Sequence, residues 1–251
     1  MPHPVTHTLR SLLCGLLLLA GGAQASPFYA PPPQEEEAHG FSGETELGYT
    51  HLSGNTDSKT LIGKVQLTWL RDRWTHLVRS EVRHVSRNGE TSAEQYRLVG
   101  RERYDLDGPH YLFGFGRGEK DRFSGYDHQL TAIAGYGRDL IEGDRQRLSL
   151  EAGPGYRRDR IDDAPNASLA VAYGALDWHF EATDNATLRQ ELSVEATNDN
   201  TTSRSLSSLT ARLNARLAMR LSHEAKRNTQ PPEGAESRTD HITSVSLLYS
   251  W

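Results

Sequence analysis

From Phe41 to Trp251 the chain alternates between apolar and polar side chains. A period of two belongs to a β-strand whose two faces meet different surroundings, not to the 3.6-residue period of a helix. In the stretch Leu61 to Trp69, Leu61, Val65, Leu67 and Trp69 share one face with Gly63. Lys64, Gln66 and Thr68 share the other, where Ile62 is the exception. Trp74, Val78 and Val82 alternate with Thr75, Arg79, Glu81 and Arg83. Leu148, Leu150, Ala152 and Tyr156 alternate with Arg147, Ser149, Glu151, Gly153 and Arg157, and Leu188, Leu192, Val194 and Ala196 with Arg189, Glu191, Ser193 and Glu195. Leu209, Ala211 and Leu213 alternate with Thr210, Arg212 and Asn214. The last segment sets Thr243, Val245, Leu247, Tyr249 and Trp251 on one face.

Residues that favour turns break this pattern at regular intervals. They fall at 54–57, 71–73, 87–89, 105–109, 123–125, 142–144, 162–166, 182–185, 198–200, 214–216 and 228–234. Eleven connections imply twelve strands. The bend at 214–216 has the weakest signal, because alternation runs almost unbroken from Leu206 to Arg227; without it the count falls to eleven or the register shifts. Roughly 210 residues over twelve strands leave about 17 for each strand and its connection, enough for the roughly 9–11 residues of a membrane-crossing strand and a short loop.

The chain ahead of the alternation reads differently. Residues 1–25 carry His3, His7 and Arg10, an apolar run from Leu12 to Ala20, then Ala23-Gln24-Ala25. That is the three-part layout of a secretory signal peptide with a small-x-small cleavage site. Residues 26–40 are rich in Pro and Glu and are expected to form a disordered arm, with a plug inserted into a pore as the alternative. The single cysteine, Cys14, lies within the leader, which leaves the exported part without thiol or disulfide chemistry. No later stretch approaches the roughly 18–20 apolar residues of a spanning helix. Hydrophobic residues make up only 36% of the chain, against roughly 45–50% in a typical soluble domain. A formal net charge of −5 offers no basic excess for nucleic acid.

Two all-β architectures alternate in this way. A soluble sandwich hides its apolar face; a membrane barrel turns that face to lipid and its polar face inward. Three features favour the barrel. The face opposite the bulky apolar residues is crowded with Arg, Glu, Gln and Ser. Phe41, Trp69, Trp74, Tyr104, Tyr111, Phe113, Trp178, Phe180, Tyr249 and Trp251 gather toward the end that holds both termini, as an aromatic girdle at a membrane interface does. Tyr49, Tyr96, Tyr126 and Tyr156 fall toward the opposite rim. The chain stops on Trp251, with Val245, Leu247 and Tyr249 on its face, and bacterial outer-membrane barrels commonly end in such a strand. Hydrocarbon cannot satisfy an open sheet edge, so the strands must close into a ring. The expected fold is therefore all-β, a transmembrane antiparallel up-and-down barrel of about twelve strands spanning 41–251. Its expected place is the cell outer membrane, with both termini on the periplasmic side.

Three segments carry a family likeness. Ser53-Gly-Asn-Thr-Asp-Ser58, Glu151-Ala-Gly-Pro-Gly-Tyr-Arg157 and Thr239 to Trp251 resemble the family of salt-induced outer membrane proteins, with the similarity running over roughly Phe41 to Trp251. The resemblance implies an outer-membrane barrel of undefined activity and a link to salt or osmotic stress. It carries no catalytic residues and no cofactor.

The strand register puts Lys64, Arg79, Arg83, Arg97, Arg101, Arg103, Arg147, Arg157, Arg189 and Arg212 inside the barrel, with Glu44, Glu46, Glu81, Glu151, Glu191 and Glu195. Cations outnumber anions in this set, and rings of Arg or Lys select anions in a pore. A narrow anion-preferring channel is one expectation; the other is a lumen filled by Arg–Glu pairs, as small barrels can be. An outer-membrane enzyme is a third reading. His76 and Ser80 share a face about 13 Å apart, His84 and Ser86 about 6–7 Å apart, and no Gly-x-Ser-x-Gly elbow occurs. A soluble exported ligand-binding β protein is a fourth. The oxygen-rich segments 159–163 and 198–200 read as solvated turns without EF-hand spacing, so no metal is expected. Gly114, Gly116 and Gly118 share one strand face, where the wall can curve or a plug approach. The expected partners are outer membrane lipid, lipopolysaccharide and the barrel assembly machinery, which would read the terminal strand; no nucleic acid is expected.

Overall fold

A computed structural model describes residues 39–52, 58–121, 126–161, 166–231 and 237–251. Residues 1–38, which hold the expected leader and most of the expected arm, and residues 53–57, 122–125, 162–165 and 232–236 lie outside the described residues. The strands are β1 (His39–Leu52), β2 (Ser58–Arg71), β3 (Trp74–Arg87), β4 (Glu90–Asp105), β5 (His110–Asp121), β6 (Tyr126–Glu142), β7 (Gln146–Ile161), β8 (Ala167–Thr183), β9 (Ala186–Ala196), β10 (Thr201–Arg212), β11 (Leu217–Asn228) and β12 (Thr239–Ser250). Each pairs antiparallel with its neighbours in sequence, and β12 returns to β1, so twelve strands form a closed up-and-down barrel. His39 and Gly40, assigned from sequence to the arm, already belong to β1.

The turns follow local chemistry. Between β3 and β4 only Asn88 and Gly89 intervene, with φ of 52° and 85°. Two successive positive φ values make the primed hairpin turn whose twist matches the flanking strands, and Asn-Gly is its preferred sequence. The weakly signalled bend before β11 is a real turn. The side-chain oxygen of Asn214 accepts from the backbone N–H of Arg216 and of Leu217, both at 2.9 Å. That local bond stops the strand although the alternation nearly continues.

The two faces separate by parity. Leu47, Leu61, Val65, Val78, Leu98, Leu130, Leu221 and Leu247 stand on the outer wall, more than two-fifths exposed. Charged residues fill the inside. Strands β4 to β8 are a partial exception. There Val99, Tyr111, Phe113, Phe115, Ile133, Val171 and Tyr173 pack inward as a small apolar core. The outer face of the same strands is correspondingly thin, with Gly100, Gly114, Gly116, Ala132, Ala134, Pro154 and Ala172 where other strands carry Leu or Val.

This inversion corrects two girdle residues. Tyr111 and Phe113 face the lumen, 0% and 4% exposed. Nearness to a turn suggested the membrane interface, but parity decides the face, and on β5 the outward parity belongs to Leu112, Gly114, Gly116 and Gly118. Tyr111 has a reason to turn inward: its ring lies where a Cβ on Gly137 would stand, within 2.2 Å. Its hydroxyl also donates to Glu151 at 2.9 Å.

Candidate functional site: the charged lumen

A buried charge is costly unless it is paired and hydrogen-bonded. The barrel solves this first along its wall. Cross-strand partners run Glu46, Lys64, Glu81, Arg97, Glu119 from β1 to β5, alternating in sign at every step. Lys64 Nζ meets Glu46 at 3.2 Å. Arg97 lies 3.4 Å from Glu81 through Nη1 and 2.9 Å from Glu119 through Nε. Opposite charges facing each other on adjacent strands stabilise the pairing, and like charges there oppose it.

The second solution spans the interior. Arg117 on β5 reaches Glu195 on β9 with both terminal nitrogens, at 2.7 and 2.8 Å. Arg204 on β10 meets Glu119 on β5 at 3.0 Å. Arg83 on β3 bonds Glu224 on β11, and Arg101 on β4 bonds Glu151 on β7. Arg220 on β11 reaches Glu46 on β1 at 2.7 Å. Strands that are not neighbours in the wall are thus tied through the lumen. Arg97, Arg101, Arg117, Arg204, Glu119 and Glu195 are each no more than 4% exposed, so this layer excludes solvent. Aromatic faces complete the packing: Arg103 lies 3.6 Å from the centre of the Tyr111 ring, Arg101 5.1 Å from that of Phe113. Toward the end that carries the termini, the lumen has a small recess lined by Glu44, Glu46, Lys64, Gln66 and Arg79.

Each residue singled out in the sequence has a definite place. Lys64, Arg79, Arg83, Arg97, Arg101, Arg103 and Arg157 are buried inside, as are Glu46, Glu81, Glu151, Glu191 and Glu195. Arg147, Arg189 and Glu44 are half-buried toward the termini end. Arg212 departs from the set: it is exposed at the rim, where its guanidinium donates to the backbone carbonyl of Asp184. Its parity points inward, but β10 ends there, so it caps a turn instead of lining the lumen. Phe41, Trp69, Trp74, Tyr249 and Trp251 are exposed on the outer wall, with Tyr104, Trp178 and Phe180 half-buried beside them. Tyr49, Tyr96 and Tyr156 are exposed as well, while the Tyr126 side chain lies outside the described residues. His76 bonds Glu102 on the outer face, away from the lumen.

Several lumen charges escaped the sequence reading. They include Arg117, Arg204, Arg220 and Lys226, with Glu119, Glu224, Asp139, Asp159 and Asp177. They add five acids against four cations, so the balance changes less than the pairing does: each of these acids partners a cation already placed inside. Glu224 meets Arg83, Glu119 meets Arg97, Asp139 meets Arg103 at 2.7 Å, Asp159 meets Arg157 at 3.1 Å and Asp177 meets Arg189. For Arg117 and Glu119 the signal was present: Gly114, Gly116 and Gly118 fix the outward parity of β5, which turns 117 and 119 inward. For β11 the weak bend at 214–216 left parity open. Among the described residues no three His, Asp or Glu side chains are grouped to hold a metal ion.

Comparison with known proteins adds family and fold. The family model described as protein of unknown function, DUF481, matches residues 45–251. The uncharacterized protein YdiY of Escherichia coli (strain K12) is 32% identical over 243 residues, covering 94% of this chain and 96% of YdiY. Among solved structures, an outer membrane channel from Pseudomonas putida F1 is similar with a TM-score of 0.53 at 9% identity, over 87% of this chain and 100% of that one. The NanC porin gives 0.53 at 9% identity, over 82% and 98%. The translocator domain of the autotransporter NalP from Neisseria meningitidis gives 0.51 at 14%, over 86% and 90%. At these identities the likeness is one of fold, the outer-membrane type of β-barrel.

Proposed function

We propose that this chain, which belongs to the DUF481 family of proteins of unknown function, is an outer-membrane barrel with a sealed lumen and a structural role in the cell envelope. The outer wall supports the location: its large exposed apolar side chains suit hydrocarbon and would be a liability in water. The layer of cross-lumen ion pairs supports the sealed state. Arg117 with Glu195, Arg204 with Glu119, and Arg83 with Glu224 occupy the space a solute would cross. Opening it would break the pairs that tie non-neighbouring strands together across the lumen.

The reading is not enzymatic. The anion-preferring channel is the rival, and it rests on an excess of lumen cations. Once Glu119, Glu224, Asp139, Asp159 and Asp177 are counted, most of those cations have acidic partners. The link to salt or osmotic stress implied by the resemblance belongs to the same proposal, since a sealed barrel adds wall without adding a leak. Outer membrane lipid and lipopolysaccharide surround the wall in this reading, and the assembly machinery recognises β12. Planar-bilayer recording of the purified, refolded chain is the test. Silence at moderate voltage supports the sealed barrel. Stable, anion-selective steps would replace it with the channel.

A further inference from the structure

Strands β4 to β8 carry an unusual outer wall. Paired positions bring Gly100 beside Gly116, Gly116 beside Ala132, and Pro154 beside Ala172. All of these residues are exposed, and with Ala134 they form a shallow apolar trough. Leu130 and Tyr156, 60% and 53% exposed, stand along its border. Toward the end opposite the termini, the outward faces of β5, β6 and β7 finish in cations, beside Glu94 on β4, which accepts from the Tyr96 hydroxyl at 2.9 Å. Lys120 lies on β5, His128 on β6, and Arg158 and Arg160 on β7. His128 is the register partner of Arg160, and Leu130 that of Arg158, so the cluster sits directly against the trough's border. Asp127 lies 2.9 Å from His128 and 3.4 Å from Arg160, holding both over this face, and the Arg160 side chain stays 69% exposed. No carboxylate pairs with Lys120 or Arg158 among the described residues.

We propose that this wall is a docking site for the phosphorylated, multiply acylated glucosamine lipid of lipopolysaccharide. The proposal rests on the outer-membrane reading above. The complementarity is specific in height and sign. The cations lie at the end that faces the cell exterior when the termini face the periplasm, the leaflet that holds this lipid. Arg presents paired N–H groups to a phosphate, and a trough without large side chains lets several acyl chains lie flat against the wall. Arg227 and His241 also stand at this rim, on β11 and β12, but there the outward positions below them carry Leu221, Val245 and Leu247 instead of a trough.

Native mass spectrometry of the full barrel in mild detergent tests this, with three added lipids: the hexa-acylated diphosphoryl glucosamine disaccharide, its monophosphoryl form, and phosphatidylglycerol. A one-to-one adduct is expected with the diphosphoryl lipid at concentrations about tenfold below those needed for phosphatidylglycerol. The triple variant Lys120→Gln, Arg158→Gln, Arg160→Gln should lose that preference, and filling the trough with Ala132→Phe should weaken the adduct while the cations remain. Equal uptake of phosphatidylglycerol, an unchanged triple variant, or a second copy of the chain in place of lipid would overturn the proposal. Heat-modifiable gel migration of each sample is read alongside. Its loss in the unaltered chain overturns the membrane barrel itself, whereas a barrel that migrates as folded yet ignores the lipid overturns only this site.

Discussion

Arg117 grips Glu195 across the inside of the barrel through two parallel bonds, 2.7 and 2.8 Å long, from β5 to β9. Neither side chain has more than 3% of its surface exposed. Such a forked pair is worth more than a single contact, but only while both partners remain.

Removing one partner should therefore cost more than removing both. Glu195→Ala leaves Arg117 and Arg204 short of an anion and is expected to destabilise the barrel by roughly 3–5 kcal/mol. The double variant Arg117→Met, Glu195→Leu should lose much less. Guanidinium unfolding in detergent, followed by tryptophan fluorescence, measures the difference. Equal midpoints for Glu195→Ala and the unaltered chain would mean that water reaches this layer.

Neutralising acids should open an electrostatic path. Glu119→Gln with Glu224→Gln removes the carboxylates opposite Arg97, Arg204 and Arg83. Intermittent, anion-preferring conductance is expected where the unaltered chain is silent. Persistent silence would show that side-chain bulk alone seals the lumen.

Gly137 holds the space that Tyr111 occupies, with ring atoms 2.2 Å from where a Cβ would stand. Gly137→Ala is expected to push the ring off its site, part its hydroxyl from Glu151 and cost about 1–3 kcal/mol, the usual price of overpacking. Combining it with Tyr111→Leu should recover part of that loss. The same unfolding measurement reads both, and full tolerance of Gly137→Ala would contradict the packing.

Trp251 closes the seam. Its backbone exchanges bonds of 2.8 and 3.0 Å with Gly43, and its ring lies 5.6 Å from that of Phe41. Deleting Trp251 removes both bonds beyond the Glu44–Ser250 register pair, where β1 and β12 share fewer paired residues than other neighbours. A smaller fraction of heat-modifiable barrel on refolding is expected. Replacement by Phe should preserve most of it, because the backbone bonds stay.

Much of this was legible along the chain. Alternation set the faces of β2, β3, β7, β9 and β12, and turn residues set the connections, including the Asn88-Gly89 hairpin. The departures have two causes: nearness to a turn gives the height of Tyr111 and Phe113 but not their face, and parity gives the face of Arg212 but not where its strand stops. Parity gives inside or outside; it does not give height along a tilted strand, nor whether a neighbouring side chain has room.

Sequence alone determined a count of about twelve strands, the closure that an unpaired edge in hydrocarbon demands, and the inward turn of most charges, because each depends on a period of two and on chemistry within a few residues. Tertiary structure decided which charges meet. Arg83 with Glu224, Arg117 with Glu195 and Arg204 with Glu119 are 141, 78 and 85 residues apart in the chain. Their meeting depends on how far the register shifts around the closed ring. That shift is a sum over every hairpin and bulge, so no local window of sequence contains it.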